Sequence, residues 1–395
     1  MKLLLIAVFV TCCFLTCCSQ GKEPDTLVFG KAKISAAYEA KIDSIVKDAV
    51  QKHAMPGCRI LAALRHYVVL DKSYGFFTYD SIQRVNDSTF YDLASVTKIA
   101  ASSLVLMKLY EDGKIGLDLP LTAYFKGIDS NGATLRDALA HQAGFKSWLD
   151  LKPLCHDGLT QKEIAERIVK EPLKEKGNYL YSDLGFYLYT LFPEKFYRKK
   201  FDTFLYDTFY RPLGLKMRFN PYGKLLENIP PTENDTLWRK KIIKGEVHDE
   251  GAFLMGGISG HAGLFSNARD LAVLMQMLLD KGSYGGKKFF EPETVELFTS
   301  RAFEDNRRGL VFDKPVIDST LNGTPSKMAS EKSFGHSGFT GTFVWADPEN
   351  GLLFVFLTNS TFPDRSPMIS RLDVRTKIHD ELYAAVKNNE ILYED

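Results

Sequence analysis

The chain opens on an apolar run, residues 3–15, which follows the lone cation Lys2 and is interrupted mainly by Thr11, Cys12 and Cys13. Such a run is well short of the ~20 residues that span a bilayer as a helix, and it fits the core of an export signal. Residues 19–34 are polar and read as a tether. Over residues 36–53 the apolar positions Ile42, Ile45, Val46 and Val50 recur at helical spacing, and Pro56-Gly57 ends the pattern. Residues 58–64 and 67–77 then read as the two strands of a hairpin. Residues 95–111, rich in Ala, Leu and Met, predict a helix closed by Asp112-Gly113. From about 115 to 330 short helical stretches mix with long loops marked by Pro and Gly. The most regular helix there covers 268–279, with Ser266 or Asn267 as its cap. Strand signals return at 333–334, 341–346 and 352–358, the last two joined by the turn Asp347-Pro348-Glu349-Asn350-Gly351. A final helix is expected over 369–386. The pattern implies an α/β (α+β) fold: residues 35–114 and 331–390 form an antiparallel sheet flanked by helices, and 115–330 is a mostly helical insert.

Composition narrows the partners. Hydrophobic residues make up 45% and charged residues 25% of the 395, as in ordinary soluble globular proteins. Fifty basic side chains face 49 acidic ones, and no strongly basic block is present. That balance leaves no field to attract nucleic acid, and no such partner is expected. Four of the six cysteines (Cys12, Cys13, Cys17 and Cys18) lie in the leader. Cys58 and Cys155 remain, lack metal-ligand spacing and read as structural.

The leader ends Leu15-Thr16-Cys17-Cys18-Ser19-Gln20. This resembles a bacterial lipoprotein signal. The resemblance implies removal of residues 1–18 up to a lipidated Cys18, with Cys17 as the alternative acceptor, and anchoring to a bacterial membrane facing the periplasm or cell envelope. Plain cleavage without a lipid is the competing reading.

The sharpest chemical feature is Asp92-Leu93-Ala94-Ser95-Val96-Thr97-Lys98 at the start of the 95–111 helix. Three residues along a helix turn ~60° and rise ~4.5 Å, so the Ser95 hydroxyl and the Lys98 amine can face one space. Serine is a poor nucleophile until a neighbour takes its proton. A desolvated lysine near a helix start can do so, because burial and the helix dipole both disfavour its protonated form. Alone, Ser-x-x-Lys is a weak signal that chance supplies often. Two more segments strengthen it: Lys176-Gly177-Asn178-Tyr179-Leu180-Tyr181-Ser182-Asp183-Leu184-Gly185, and Ser333-Phe334-Gly335-His336-Ser337-Gly338-Phe339-Thr340-Gly341-Thr342.

Together these three elements resemble the serine β-lactamase and penicillin-binding protein family: Ser-x-x-Lys, a Tyr- or Ser-led triplet, and Lys/His-x-Gly on a strand. The likeness is closest to the class C-like branch, and within it to lipoprotein-type D-alanyl-D-alanine carboxypeptidases and related esterases. It extends to residues 134–144, 247–250 and 256–266, nearly the whole mature chain. It implies a β-lactamase/transpeptidase-like fold and a serine hydrolase that forms an acyl-enzyme. Ser95 would be the nucleophile, with Lys98 and Tyr181 sharing its proton. The oxyanion would sit between the backbone N–H groups of Ser95 and Phe339, with Gly338 leaving room for the acyl group. His336 and Ser337 would lie along the substrate. The implied substrate is a peptidoglycan peptide ending in D-alanine. An ester of small-molecule or wall origin is the alternative, as is a non-catalytic protein that binds penicillins or wall fragments.

Two departures from the family pattern bear on specificity. Asp183 stands where many relatives carry Asn; an aspartate only accepts hydrogen bonds and would hold Lys98 charged unless it faces elsewhere. His336 stands where a lysine often meets a substrate carboxylate, and any attraction from a histidine would weaken above pH ~6.5. His141 and His261, in Gly-flanked turns, read as structural hydrogen-bonding residues. His248, Asp249 and Glu250 lack the spacing of a metal set, so neither metal nor cofactor is expected. Gly-x-Ser-x-Gly, P-loop and Gly-x-Gly-x-x-Gly motifs are missing from the sequence. Tyr179, Phe145 and Phe339 could line an apolar cleft.

Overall fold

The computed structural model describes residues 24–152, 160–316 and 325–394. The leader, with Cys17 and Cys18, and Cys155 lie outside these residues. Among the described residues no helix is long and apolar enough to cross a membrane.

A five-stranded antiparallel sheet organises the chain, in the order Phe334–Ser337, Phe343–Asp347, Leu352–Thr358, Gly57–Leu64, Tyr67–Gly75. Strands from the two ends of the sequence meet at its centre, where Leu352 pairs with Leu64 and Thr358 with Cys58. Both of these central strands are buried along their whole length. Their side chains alternate between two cores, as the period of two requires. Ile60, Ala62, Phe354 and Phe356 face a core shared with the helices Ala36–Gln51 and Val374–Lys387. Leu61, Ala63, Val355 and Leu357 face the larger core, which includes Ser103–Glu111 and Ala268–Leu279. The observed sheet and flanking helices form the mixed α/β arrangement that the sequence pattern implies.

Several elements differ from the sequence reading. The 19–34 tether fails over its second half: Val28 N–H donates to His66 O at 2.9 Å, and Ala32–Ile34 pairs antiparallel with Ile391–Tyr393. The helix expected over 95–111 is a 3₁₀ turn at Ala94–Val96, a π-turn at Lys98–Ser102 and an α-helix at Ser103–Glu111. Within the π-turn the Ala100 carbonyl accepts from Tyr210 O–H at 2.9 Å, an outside partner that compensates for the altered helix ladder. The last helix is two, Met368–Arg371 and Val374–Lys387, broken where Asp373 takes φ 50°.

The strand signal expected at 333–334 becomes Phe334–Ser337 and runs further than expected, because Gly335-His336-Ser337 has little strand propensity of its own. Pairing with Phe343–Ala346 imposes the extended form. Gly335 is needed there: a Cβ would strike the Val344 carbonyl and the Trp345 backbone of the next strand. Gly335→Ala should therefore cost about 1–3 kcal/mol of stability, read as a lower urea midpoint. An unchanged midpoint would show that the edge strand has room to move away.

Candidate active site

Ser95 sits where the short strand Tyr91–Asp92 turns into the first helical turn. The turn needs Ala94 at φ 45°, an unfavourable region for a residue with a side chain. Its surroundings fix it on several sides. The Asp92 carboxylate accepts from Ala94 N–H at 2.9 Å and from His248 N–H at 2.7 Å. Thr340 O–H donates to Asp92 O at 2.8 Å, and Thr342 O–H donates to Leu93 O at 3.0 Å. Residues just past the edge strand thus clasp the backbone that presents Ser95. Gly338 packs against the same turn, where a Cβ would meet Leu93 O and the Ala94 side chain.

Lys98 is fully buried beneath Ser95. Its Nζ lies 2.9 Å from Ser95 Oγ, 2.7 Å from Asp183 Oδ1 and 3.2 Å from His261 O. Burial pulls its pKa down, but the Asp183 charge and then Tyr181 outweigh burial and leave it above the ordinary lysine value. Lys98 is therefore an ammonium at neutral pH and donates to Ser95. The sequence reading of a lysine neutralised by desolvation is corrected by Asp183, which faces Lys98.

Tyr181 completes the group. Lys98 Nζ is 5.0 Å from its ring centroid, and the buried hydroxyl interacts with the same ammonium. Burial raises the phenol pKa, while Lys98 pulls it back down. His141 lies 4.6 Å from the Tyr181 ring, and its Nδ1 accepts from Ser182 N–H at 3.1 Å. Burial, then the nearby Arg308 and Lys98 charges, keep this imidazole neutral, so it shapes the Tyr181 turn as an acceptor.

His336 does not face the cleft as a titrating cation. It is 2% exposed, and burial pushes its pKa down to about 3. Its Nδ1 lies 2.7 Å from Ser337 O, and its Nε2 lies 3.1 Å from Arg308 Nη1. A guanidinium can only donate, so Nε2 accepts and the proton sits on Nδ1. The expected weakening near pH 6.5 therefore has no group to cause it. Positive charge comes instead from Arg308, whose Nη2 is 3.1 Å from Asp313 and whose Nε donates to Tyr179 O–H at 3.2 Å. Phe339 projects outward, 61% exposed, its ring stacked 5.7 Å from His248. Among the described residues, the backbone N–H groups of Ser95 and Phe339 have no acceptor.

Two lobes of one cleft meet at Ser95, Tyr181 and Phe339. The first, about 510 Å³, is lined by Arg307, Arg308, Arg365 and Arg375, against the single carboxylate of Asp313. Among the described residues, Thr361 Oγ1 and Arg307 Nε are buried there without a hydrogen-bond partner. Arg375 donates to Ser370 Oγ at 3.2 Å, and burial lowers its pKa only to about 10, so it stays charged. The second lobe, about 420 Å³, is walled by Trp148, Tyr187, Leu254 and Asp183. Tyr179 lines the first lobe, whereas Phe145 belongs to the core. Sequence reading missed the arginines; the adjacent pair Arg307-Arg308 before Gly309 was their only signal, and Arg375 sits on an unremarkable helix.

His248, Asp249 and Glu250 turn to separate partners: Glu233 at 2.8 Å, His261 at 2.8 Å and Arg365 at 2.7 Å. His261 is stacked 4.1 Å from Tyr187 and its carbonyl receives Lys98, so it supports the lysine through the backbone.

Known proteins similar to this chain match most of its length. Residues 42–375 match the family described as Beta-lactamase. A Salmonella gallinarum protein named "Putative D-alanyl-D-alanine carboxypeptidase" is 32% identical, over 85% of this chain and 85% of its own. Among solved structures, a penicillin-binding protein homologue from Caulobacter crescentus superposes with TM-score 0.69 at 18% identity, covering 89% of this chain and 98% of that one. EstCE1, a hydrolase with promiscuous acyltransferase activity, gives TM-score 0.69 at 20% identity, with 88% and 98% covered. With a serine over a buried lysine in that fold and the match spanning most of its length, the chain belongs to the β-lactamase family of serine hydrolases.

Proposed function

We propose that Ser95 is the nucleophile of an acyl-transferring hydrolase that removes the terminal residue from cell-wall peptides ending in D-alanyl-D-alanine. The observation that carries the substrate class is the arginine-lined lobe beside Ser95, with Arg307, Arg375 and the unpartnered Thr361 hydroxyl positioned for a terminal carboxylate. The relative's name supplies the D-alanyl part of the reading. Export and lipid anchoring through Cys18 are part of the same proposal, since they would put the enzyme where such peptides are.

The charge on Lys98 sets the mechanism. An ammonium cannot accept the serine proton, so the reactive form carries one proton fewer, lost from the Lys98–Tyr181 pair. In that form Tyr181 takes the proton from Ser95 as Oγ bonds to the carbonyl carbon. The Ser95 and Phe339 N–H groups receive the oxyanion. The C–N bond then breaks, the proton passes to the departing D-alanine amine, and an acyl-enzyme remains. Water attacks it, returning its proton through Tyr181 and freeing Ser95. Asp183 holds Lys98 in register and charged throughout.

Both Lys98 and Tyr181 sit above their ordinary pKa values, so the activating proton is lost above neutrality and kcat/KM should rise with pH beyond pH 7. Asp183→Asn removes the charge that raises Lys98, and the rising limb should move to lower pH. A limb that stays in place would show that the pair does not control the reaction.

The substrate reading is tested by measuring D-alanine release from a peptide ending in D-alanyl-D-alanine, beside the same peptide with an amidated end. Release is expected from the acid form. Arg375→Gln should lower its kcat/KM by about 10–100-fold, the worth of one charge-assisted hydrogen bond, with little effect on a neutral activated ester. Ester hydrolysis without D-alanine release would instead favour an esterase on the same fold.

A further inference from the structure

A second cavity, about 320 Å³, lies at the other end of the edge strand, lined by Phe334 rather than by Ser337. Three residues of strand place it ~10 Å from the catalytic cleft. Leu278, Val295, Phe334 and Pro348 give it an apolar wall. Lys314 also lines it, although only 1% of that residue is exposed. Fully buried lysines are rare unless paired.

Lys314 has no such pair among the described residues. Its backbone is fixed, with N–H donating to Arg307 O at 3.0 Å, but its amine makes no hydrogen bond or ion pair. Glu296 lines the same cavity, and the other nearby carboxylates are engaged by other groups. Glu331 meets Arg301 at 2.9 Å, Glu349 meets Lys332 at 3.3 Å, and Asp347 accepts from Ser330, Asn350 and Tyr383. Burial, then Arg301, push the Lys314 pKa down to about 8 against the weaker opposing pull of Glu331, Asp347 and Glu349. The neighbouring Asp313 faces the opposite way, to Arg307 and Arg308 of the catalytic cleft. The two residues thus belong to two separate sites.

We infer that this cavity binds a small carboxylate with an apolar body, the carboxylate meeting Lys314 and the body lying on the Leu278–Val295–Phe334 wall. The ligand anion supplies the partner that the fold withholds, and the wall excludes water from the pair. Arg301 can add a second donor by releasing Glu331, which is mostly exposed. A fully hydrated ion such as phosphate gains nothing from the apolar wall, so the body of the ligand is part of the recognition.

Benzoate is a suitable probe, titrated calorimetrically into the full soluble chain at pH 7.5. Saturable binding is expected, weakened at least tenfold in Lys314→Met and retained in Arg375→Gln, which alters only the catalytic cleft. Inorganic phosphate should bind much more weakly than benzoate. At pH 8.5 binding should take up protons from buffer, and at pH 6.5 it should not. Leu279→Glu, which places a carboxylate in the cavity while leaving Lys314 intact, should also block benzoate and covers the case of a Lys314→Met protein that does not fold. Absence of saturable binding, binding unaffected by both cavity substitutions, or a preference for phosphate would overturn the inference.

Discussion

An ammonium without water is the constraint around which the catalytic region is arranged. Lys98 is fully buried, and its contacts join Ser95, one turn away, to two distant points of the insert, Asp183 and the His261 carbonyl. A buried charge is costly unless it is paired and hydrogen-bonded. Each of these segments must therefore arrive for the others to be stable. His141 and His336 are neutral, first because they are buried and then because the Arg308 and Lys98 charges oppose a further cation.

The sheet provides the rigid side of this arrangement. Its edge strand ends in Ser337-Gly338, and the residues that follow grip Asp92 and Leu93 through Thr340 and Thr342. The insert supplies the rest: Tyr181 and Asp183 on one side, Arg307 and Arg308 on another. Asp313 ties the arginines back to the sheet, since its backbone exchanges hydrogen bonds with Gly335 at 2.8 and 3.1 Å. Charge in the cleft is consequently uneven. Cations gather on one side of Ser95, while aromatic and acidic side chains gather on the other.

Much of this was legible where the signal is local or periodic. The hairpin at 57–75, the helix Ala268–Leu279 with its Asn267 cap and the strand Leu352–Thr358 follow from hydrophobic spacing and turn residues. The proximity of Ser95 and Lys98 was readable from motif spacing, and that of Tyr181 from resemblance. Effects that need the third dimension were not. Ala32–Ile34 is a strand only because Ile391–Tyr393 meets it from the far end of the chain. The charge on Lys98 depends on which way Asp183 points. His336 loses its expected role because Arg308, whose position no motif announces, fills the space beside it.

The central claim is that Ser95, held over the Lys98 ammonium, is the group that becomes acylated. Intact-mass analysis of the soluble chain after incubation with a penicillin, beside Ser95→Ala, tests it most directly. The account predicts one adduct per chain, located on the peptide containing Ser95 and absent from the variant. An adduct of equal yield in Ser95→Ala, or one located on another residue, would contradict it.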